Sequence, residues 1–453
     1  MTAHRAHPVR RRGAALIALL AAGLALLTAV TFPFIHFPSG IFAFVLAVIA
    51  VPLVWSAVTR SGATRWLAAA AAVLALGGAI AILVHDHAVL DLIAFIAFAV
   101  IAAAAARVAV ISDRHAVEAA RPALTDAGKA SRGVLLMNPW SGGGKVAKFD
   151  LPAEARARGI EPIVLEKGQD LTELATAALD GGADVIGMAG GDGSQALVAA
   201  LAAERGIPYV CVPAGTRNHL ALDLGVDRND VVGALDAYVA GRERTVDLAT
   251  VNGRVFVNNV SLGVYAKIVQ SDEYRDAKIE TAARLLPEML GPEAKPFDLQ
   301  FAGPQGTAHD GAIVILVSNN PYRFAPGGFG TRPSMSGGVL GIIAAAEIAP
   351  GETETRGPGV RPIPGPFGWL EWSAPTFEVA SSGPVEAGID GEALVLDAPL
   401  RFETRPHALR VRIAPGHLGI SPAAITEAMS ARSLARIAFG REAPPASDPV
   451  PAR

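Results

Sequence analysis

Three segments of the chain place small polar residues and glycine at spacings suited to holding phosphate groups. They are Asn138-Pro139-Trp140-Ser141-Gly142-Gly143-Gly144-Lys145, Gly190-Gly191-Asp192-Gly193-Ser194 and Pro213-Ala214-Gly215-Thr216-Arg217-Asn218. Glycine lets backbone N–H groups approach a phosphate closely, and a helix beginning just after the loop adds partial positive charge. One such loop is commonly just a tight turn. Three of them, each closing an apolar strand-like run, predict a shared phosphate site. It is not a Walker loop, because Gly144-Lys145 is followed by Val146 and position 139 is Pro where that motif needs Gly. Gly191–Ala196 formally fits the G-x-G-x-x-A dinucleotide fingerprint, but it follows the third strand-like run of its unit rather than the first. An acid inside that turn would repel a pyrophosphate unless a divalent cation stood between them, so Asp192 reads as a residue that positions metal-bound phosphate.

A second candidate group lies far downstream at Asp390-Gly391-Glu392, just after Gly388. On its residues alone this is either an ordinary hairpin turn or a turn that projects a carboxylate. His85-Asp86-His87 has no third ligand nearby and reads as interfacial polar residues rather than a metal pair. The single cysteine, Cys211, excludes a disulfide framework and a cysteine-rich zinc site.

The elements that must carry these groups alternate in type. Apolar runs at Gly133–Met137, Pro162–Leu165, Asp184–Met188 and Tyr209–Val212 predict strands, separated by helical patterns at Ala153–Arg158, Asp170–Leu179 and Gln195–Arg205. That rhythm predicts a doubly wound parallel sheet, which binds ligands beyond the carboxyl ends of its strands. From about Thr245 short β-rich runs (Arg254–Val260, Gly311–Ser318, Val339–Ala344, Phe377–Ala380, Leu394–Leu396, Leu409–Ile413) alternate with Gly/Pro turns, which predicts an antiparallel β-sandwich interrupted by one helix at Lys278–Leu290. An amphipathic helix is expected over Ala423–Phe439, packing on the body, with membrane-surface contact as the alternative, and a Pro-rich disordered end at Ala443–Arg453.

Composition accounts for the rest. The chain has 453 residues, 51% hydrophobic and 18% charged, with a net charge of −3; its mean hydropathy of +0.38 is high for a soluble enzyme. Four apolar stretches, Gly13–Val30, Phe34–Val58, Trp66–Val84 and Val89–Ile111, each approach the ~20 residues needed to cross a bilayer as helix. A cleaved signal peptide over Arg10–Leu27 is the alternative for the first stretch, disfavoured because no small-x-small cleavage site follows. Residues 1–115 carry a balance of +5 against −8 for the remainder. Arginines mark the N-terminus, the Arg60/Arg65 loop and the Arg107/Arg114 exit, whereas Thr31–Pro33 and His85–His87 have none. The alternation predicts a multi-pass inner (plasma) membrane protein with its body in the cytoplasm. Low net charge and a pI near 6.4 give no support to a nucleic-acid partner. The expected division is 1–115 transmembrane, 116–132 linker, 133–245 α/β, 246–415 β-sandwich and 416–453 C-terminal helix and tail.

Taken in order, the three glycine loops followed by Asp247-Leu248, Phe256-x-Asn258, Ser261-x-Gly263, Asn319 or Asn320 with Gly327-Gly328, and Asp390-Gly391-Glu392 resemble the diacylglycerol kinase catalytic family across about Gly133–Pro415. The resemblance implies an α/β nucleotide domain and a β-sandwich, a layout shared with NAD kinases, with the active site in the cleft. It implies that Asn138, Ser141, Gly142, Gly190, Gly191, Asp192, Gly193, Ser194, Gly215, Thr216 and Asn218 hold ATP, that Asp390 is the general base toward a lipid hydroxyl, and that Glu392 is its close partner. Two departures stand out. His219 occupies the place of the family's acid in its Mg²⁺ network, for which Asp223, on the same helix face four residues on, is expected to compensate as a metal ligand beside Asp192. Gly337-Gly338 replaces the family's Asp-Gly. The expected activity is an ATP- and Mg²⁺-dependent lipid kinase acting on an acceptor in the membrane, most simply diacylglycerol, with a homodimer left open. The alternatives are a kinase of a soluble acceptor and a nucleotide- or lipid-binding membrane protein without catalysis.

Overall fold

The computed structural model describes residues 8–59, 62–86, 88–111, 124–263, 296–323, 330–347, 360–362, 367–428 and 431–439. They cluster into two compact units, an N-terminal one that also takes up the C-terminal segment from Ile425, and a body formed by most of the remainder.

The N-terminal unit contains helices Pro8–Ile35, Ser39–Thr59, Gly62–His85 and Val89–Ile111. Three are long and apolar enough to cross a membrane, through Arg12–Phe32, Ala63–His85 and Val89–Ala109; the corresponding stretch of the second helix, Ser39–Val54, is shorter. The bundle inverts the soluble pattern. Alanines 15, 18, 25, 72, 79 and 109 are buried, while Leu20, Phe44, Leu67, Leu74 and Val100 point outward. Small residues at helix contacts and large apolar ones outside suit lipid as the surrounding solvent. The first helix runs on through Thr31–Pro33, where a loop was expected. Thr28 and Thr31 return their hydroxyls to the carbonyls of Leu24 and Leu27 at 2.8 Å each, so no polar group in that turn seeks water. The turn falls instead at His36–Pro38, and His36 Nε2 meets Asp91 Oδ2 at 2.7 Å. His87 lies outside the described residues. The C-terminal amphipathic segment forms two helices, Pro422–Ala428 and Ala431–Phe439. The second rests on Pro8–Ile35 and Val89–Ile111, burying Ile437 and Ala438.

In the body an eleven-stranded sheet begins with four parallel strands in the spatial order Glu161–Val164, Gly133–Met137, Val185–Ala189, Tyr209–Val212. The inner three are buried at every position, as strands covered on both faces must be. Helices Leu151–Ala157, Leu171–Asp180 and Asp192–Glu204 connect them. Asp170 caps the second by accepting the amides of Thr172 and Glu173. The long strand Leu400–Ile413 then pairs parallel with Tyr209–Val212 and antiparallel with Arg242–Val251, carrying the same sheet into an antiparallel half. A second, wholly antiparallel sheet of seven strands runs Val360–Pro362, Phe367–Ala374, Leu340–Glu347, Ala312–Asn319, Asn259–Gly263, Val385–Ile389, Glu392–Leu396. Phe256, Phe301, Phe377, Phe402 and Val379 from the first sheet pack with Val260, Ile315, Val317, Ile342 and Leu370 from the second.

The α/β layer and the sandwich therefore share one continuous sheet, and position 245/246 falls inside the strand Arg242–Val251. Within the expected linker, Thr125-Asp126 pairs as a short strand with Arg242 and Glu243. The helix expected at Lys278–Leu290, the Gly327-Gly328 pair and the tail Ala443–Arg453 lie outside the described residues.

Candidate active site

The carboxyl ends of Gly133–Met137, Val185–Ala189 and Tyr209–Val212 lead directly into the three glycine-containing loops, as the parallel topology requires. The loops touch. A Cβ on Gly142 (φ +56) would strike the carbonyl of Ala214, and one on Gly215 would come within 2.6 Å of Gly191 Cα. Glycine is required at both places, since only it leaves the backbones room to meet. Lys145 fastens the first loop to the third by donating to the carbonyls of Pro213 at 3.2 Å and Gly215 at 3.1 Å.

Asp390 reaches this cluster on a two-residue hairpin turn between Val385–Ile389 and Glu392–Leu396, with φ of +48 at Asp390 and +90 at Gly391. Positive φ at both positions is the turn that matches strand twist, and Asp-Gly is a favoured pair for it. The carboxylate accepts three backbone amides: Val257 on Oδ2 at 2.9 Å, and Asn258 and Asn259 on Oδ1 at 2.8 and 3.1 Å. Burial nevertheless pushes its pKa up to about 7, the three amides offsetting that only in part and the charge of Asp192 adding to it. The side chain is part-buried, lining a pocket of about 100 Å³ together with Asp192, Arg217, His219, Asn258, Asn259 and Ser261. Glu392, next along the hairpin, lies against Gly193, where a side chain would displace it, and its other oxygen is 3.4 Å from Arg254 Nη2.

The expected residues divide into two sets. Asp192 and the hairpin residues Asp390 and Gly391 line one pocket, while the expected glycines 142, 190, 191, 193 and 215 are not among its lining residues. Asp192 accepts the amides of His219 at 3.1 Å and Leu220 at 3.0 Å, so its carboxylate holds the third loop against the second while lining the pocket. Asn218, expected as a nucleotide ligand, turns inward. In the left-handed conformation, it accepts the amide of Gly215 and donates to the carbonyls of Pro213 and Gly215, stapling its own turn. Asn138 likewise accepts the amide of Trp140 at 3.0 Å.

Asp223 corrects an expectation outright. It is buried, and both oxygens are occupied by Arg332, through the backbone amide at 2.8 Å, Nε at 2.9 Å and Nη2 at 2.7 Å. Burial raises its pKa and the guanidinium opposes that rise. With Arg332 as its counter-ion, Asp223 does not line the pocket. Among the described residues no three His, Cys, Asp or Glu side chains gather as a metal cage. Two carboxylates, Asp192 and Asp390, line the pocket; a donor set this small suits a metal that arrives already bound to phosphates, with Asp192 at the start of the second glycine loop to face it. Gly337 also accounts for its departure from the family: a Cβ there would lie 2.8 Å from Asn320 Oδ1, which accepts the Gly337 amide.

Sequence reasoning missed Arg332 altogether. It is a lone cation in a Gly/Pro-rich stretch with no local pattern, and its partners lie 13 to 109 residues away.

Parallel strands thus end in touching glycine loops, and a hairpin carboxylate shares a pocket with Asp192. Residues 132–251 match the model of the diacylglycerol kinase catalytic domain. A probable lipid kinase YegS-like from Klebsiella pneumoniae (strain 342) is 28% identical over 270 residues, 56% of this chain and 85% of the relative. A diacylglycerol kinase of Mycobacterium tuberculosis (strain ATCC 25618 / H37Rv) is 33% identical over 120 residues, 26% of this chain and 39% of the relative. A crystal structure of a diacylglycerol kinase from Bacillus anthracis str. Sterne is 20% identical with a TM-score of 0.46, covering 64% of this chain and 99% of that one.

Proposed function

We propose that the chain is a membrane-anchored lipid kinase that moves the γ-phosphate of ATP, with Mg²⁺, to a lipid hydroxyl, most simply that of diacylglycerol to give phosphatidic acid. The observation that carries this reading is Asp390. A carboxyl group with a pKa of about 7, fixed by three amides, lines one pocket with Asp192 at the start of the second glycine loop. Phosphoryl transfer asks a protein for position, charge neutralisation and an acceptor for the hydroxyl proton. Asp390 in its ionised form serves as that acceptor, near the pH at which a base is both available and strong. The amides around Gly142, Gly191 and Gly215 would take the phosphates, and Asp192 is the carboxylate that would face Mg²⁺, which when bound neutralises phosphate charge. Arg217 and His219 add positively charged or polar groups to the same wall. Glu392 fastens the hairpin against Gly193, keeping base and phosphate loop in register.

Four membrane passes, with the body on the arginine-rich cytoplasmic side, complete the reading. They keep the catalytic body in the same phase as an acceptor that cannot leave the bilayer, which raises effective concentration without any new contact. The test is transfer of labelled phosphate from ATP to mixed-lipid micelles by the full chain, with the product separated by chromatography. A labelled phospholipid names the acceptor; labelling of a soluble acceptor alone would reject the lipid reading.

A further inference from the structure

The segment Val257-Asn258-Asn259 that cradles Asp390 is held from two sides. On one side its three amides point at Asp390, and the Asp390 amide returns to the Asn259 carbonyl at 3.0 Å. On the other stands Arg332, fully buried, with four side-chain hydrogen bonds and an ion-pair contact to Asp223. Nη1 donates to the carbonyls of Val257 at 2.6 Å and Asn319 at 2.7 Å, and Nη2 reaches Asn258 Oδ1 at 3.1 Å. Nε and Nη2 hold Asp223. Tyr322 closes the arrangement, its ring 5.5 Å from the guanidinium and its hydroxyl accepting from Asn259 Nδ2 at 3.1 Å. Val257 and Asn258, which give N–H groups to Asp390, thus also give oxygens to Arg332, one from the main chain and one from the side-chain amide.

We propose that Arg332, with Asp223 as its buried counter-ion, is a positioning residue that fixes the amide cradle and thereby the place of Asp390 in the pocket. A buried ion pair is a poor source of stability, since apolar residues of similar volume commonly do as well or better. What the planar guanidinium fork adds is direction. It sets oxygens of residues 257, 258 and 319 in one plane, with less rotamer freedom lost per bond than a lysine would give up. Asp223, left without a metal role, becomes the group that makes this cation tolerable in the interior. The inference rests on the reading of Asp390 as the proton acceptor, and its test keeps the two apart.

The experiment compares Arg332→Met and Arg332→Lys in the full chain, in the wild-type and Asp390→Asn backgrounds, by steady-state kinetics and by amide hydrogen exchange of the peptide spanning 256–260. Arg332→Met is expected to lower kcat at least tenfold with KM for ATP within twofold, and to cost less than twofold once Asp390 is already Asn, the non-additivity of residues acting through one another. Exchange across 257–259 should speed up. A folded Arg332→Met with wild-type kcat, or an equal loss in both backgrounds, overturns the proposal. If Arg332→Met does not fold, Arg332→Lys carries the test: it keeps the cation beside Asp223 but gives up part of the fork, so kcat should still fall, and wild-type kcat would overturn the claim. If the wild type phosphorylates no lipid, the kinase reading fails by itself. The exchange arm then decides alone, and unchanged protection at 257–259 in the variants overturns the clamp.

Discussion

At the scale of single residues, Asp390 concentrates the chemistry, and its environment makes opposite demands on activity and stability. Activity needs the ionised form, so kcat/KM should fall about tenfold per pH unit below roughly 7 and level off above it. Stability runs the other way. The folded-state pKa of about 7 lies above the ordinary carboxyl value, so the contribution of Asp390 is complete at low pH and is lost as pH rises through 7. The melting temperature of Asp390→Asn minus that of wild type should therefore increase between about pH 4 and pH 8, and a flat difference would show that Asp390 titrates normally. Asp390, Glu392 and Asp192 stand out in the sequence because each sits in a glycine turn, and Asp192 and Asp390 line one pocket. The sequence misled at Asp223, whose helical spacing from His219 suggested a shared site while its true partner, Arg332, is 109 residues away. Local spacing places a residue on a face, but it does not say what that face meets.

At the scale of elements, the phosphate loops work as a contact set rather than as three separate turns. Gly142 leans on the Ala214 carbonyl, Gly215 on Gly191, and Gly193 on Glu392. Gly142→Ala combines a strained positive φ with a collision against main chain, which cannot yield as a side chain would. It should raise KM for ATP at least tenfold and lower the thermal midpoint, whereas Gly143→Ala, also at positive φ but with open space around its Cα, should cost mainly the strain and leave KM within about threefold. Equal effects on KM would mean that the loops do not depend on this contact. The alternating elements were readable from hydrophobic rhythm, and the strands Tyr209–Val212 and Gly133–Met137 fall where the apolar runs predict. The continuity of the sheet was not readable. That Leu400–Ile413 pairs with both Tyr209–Val212 and Arg242–Val251 depends on strand partners about 200 and 160 residues away in sequence, and no local pattern records it.

At the scale of the whole molecule, the proposed function joins apolar helices to a catalytic body, so that the enzyme would work at the surface that holds its substrate. The buried alanines and outward leucines of the N-terminal unit predict that the full chain stays in the membrane pellet through an alkaline carbonate wash and is released only by detergent; release by carbonate alone would contradict the membrane-spanning reading. The most direct test of the mechanism is single-turnover phosphate transfer by Asp390→Asn and wild type, with ATP binding measured on both. A proton acceptor of this kind contributes about 10²–10⁴-fold. Asp390→Asn is therefore expected to bind ATP as wild type does and transfer phosphate at least a hundredfold more slowly. Transfer within a fewfold of wild type would show that Asp390 is not the base and that the pocket it lines does some other work.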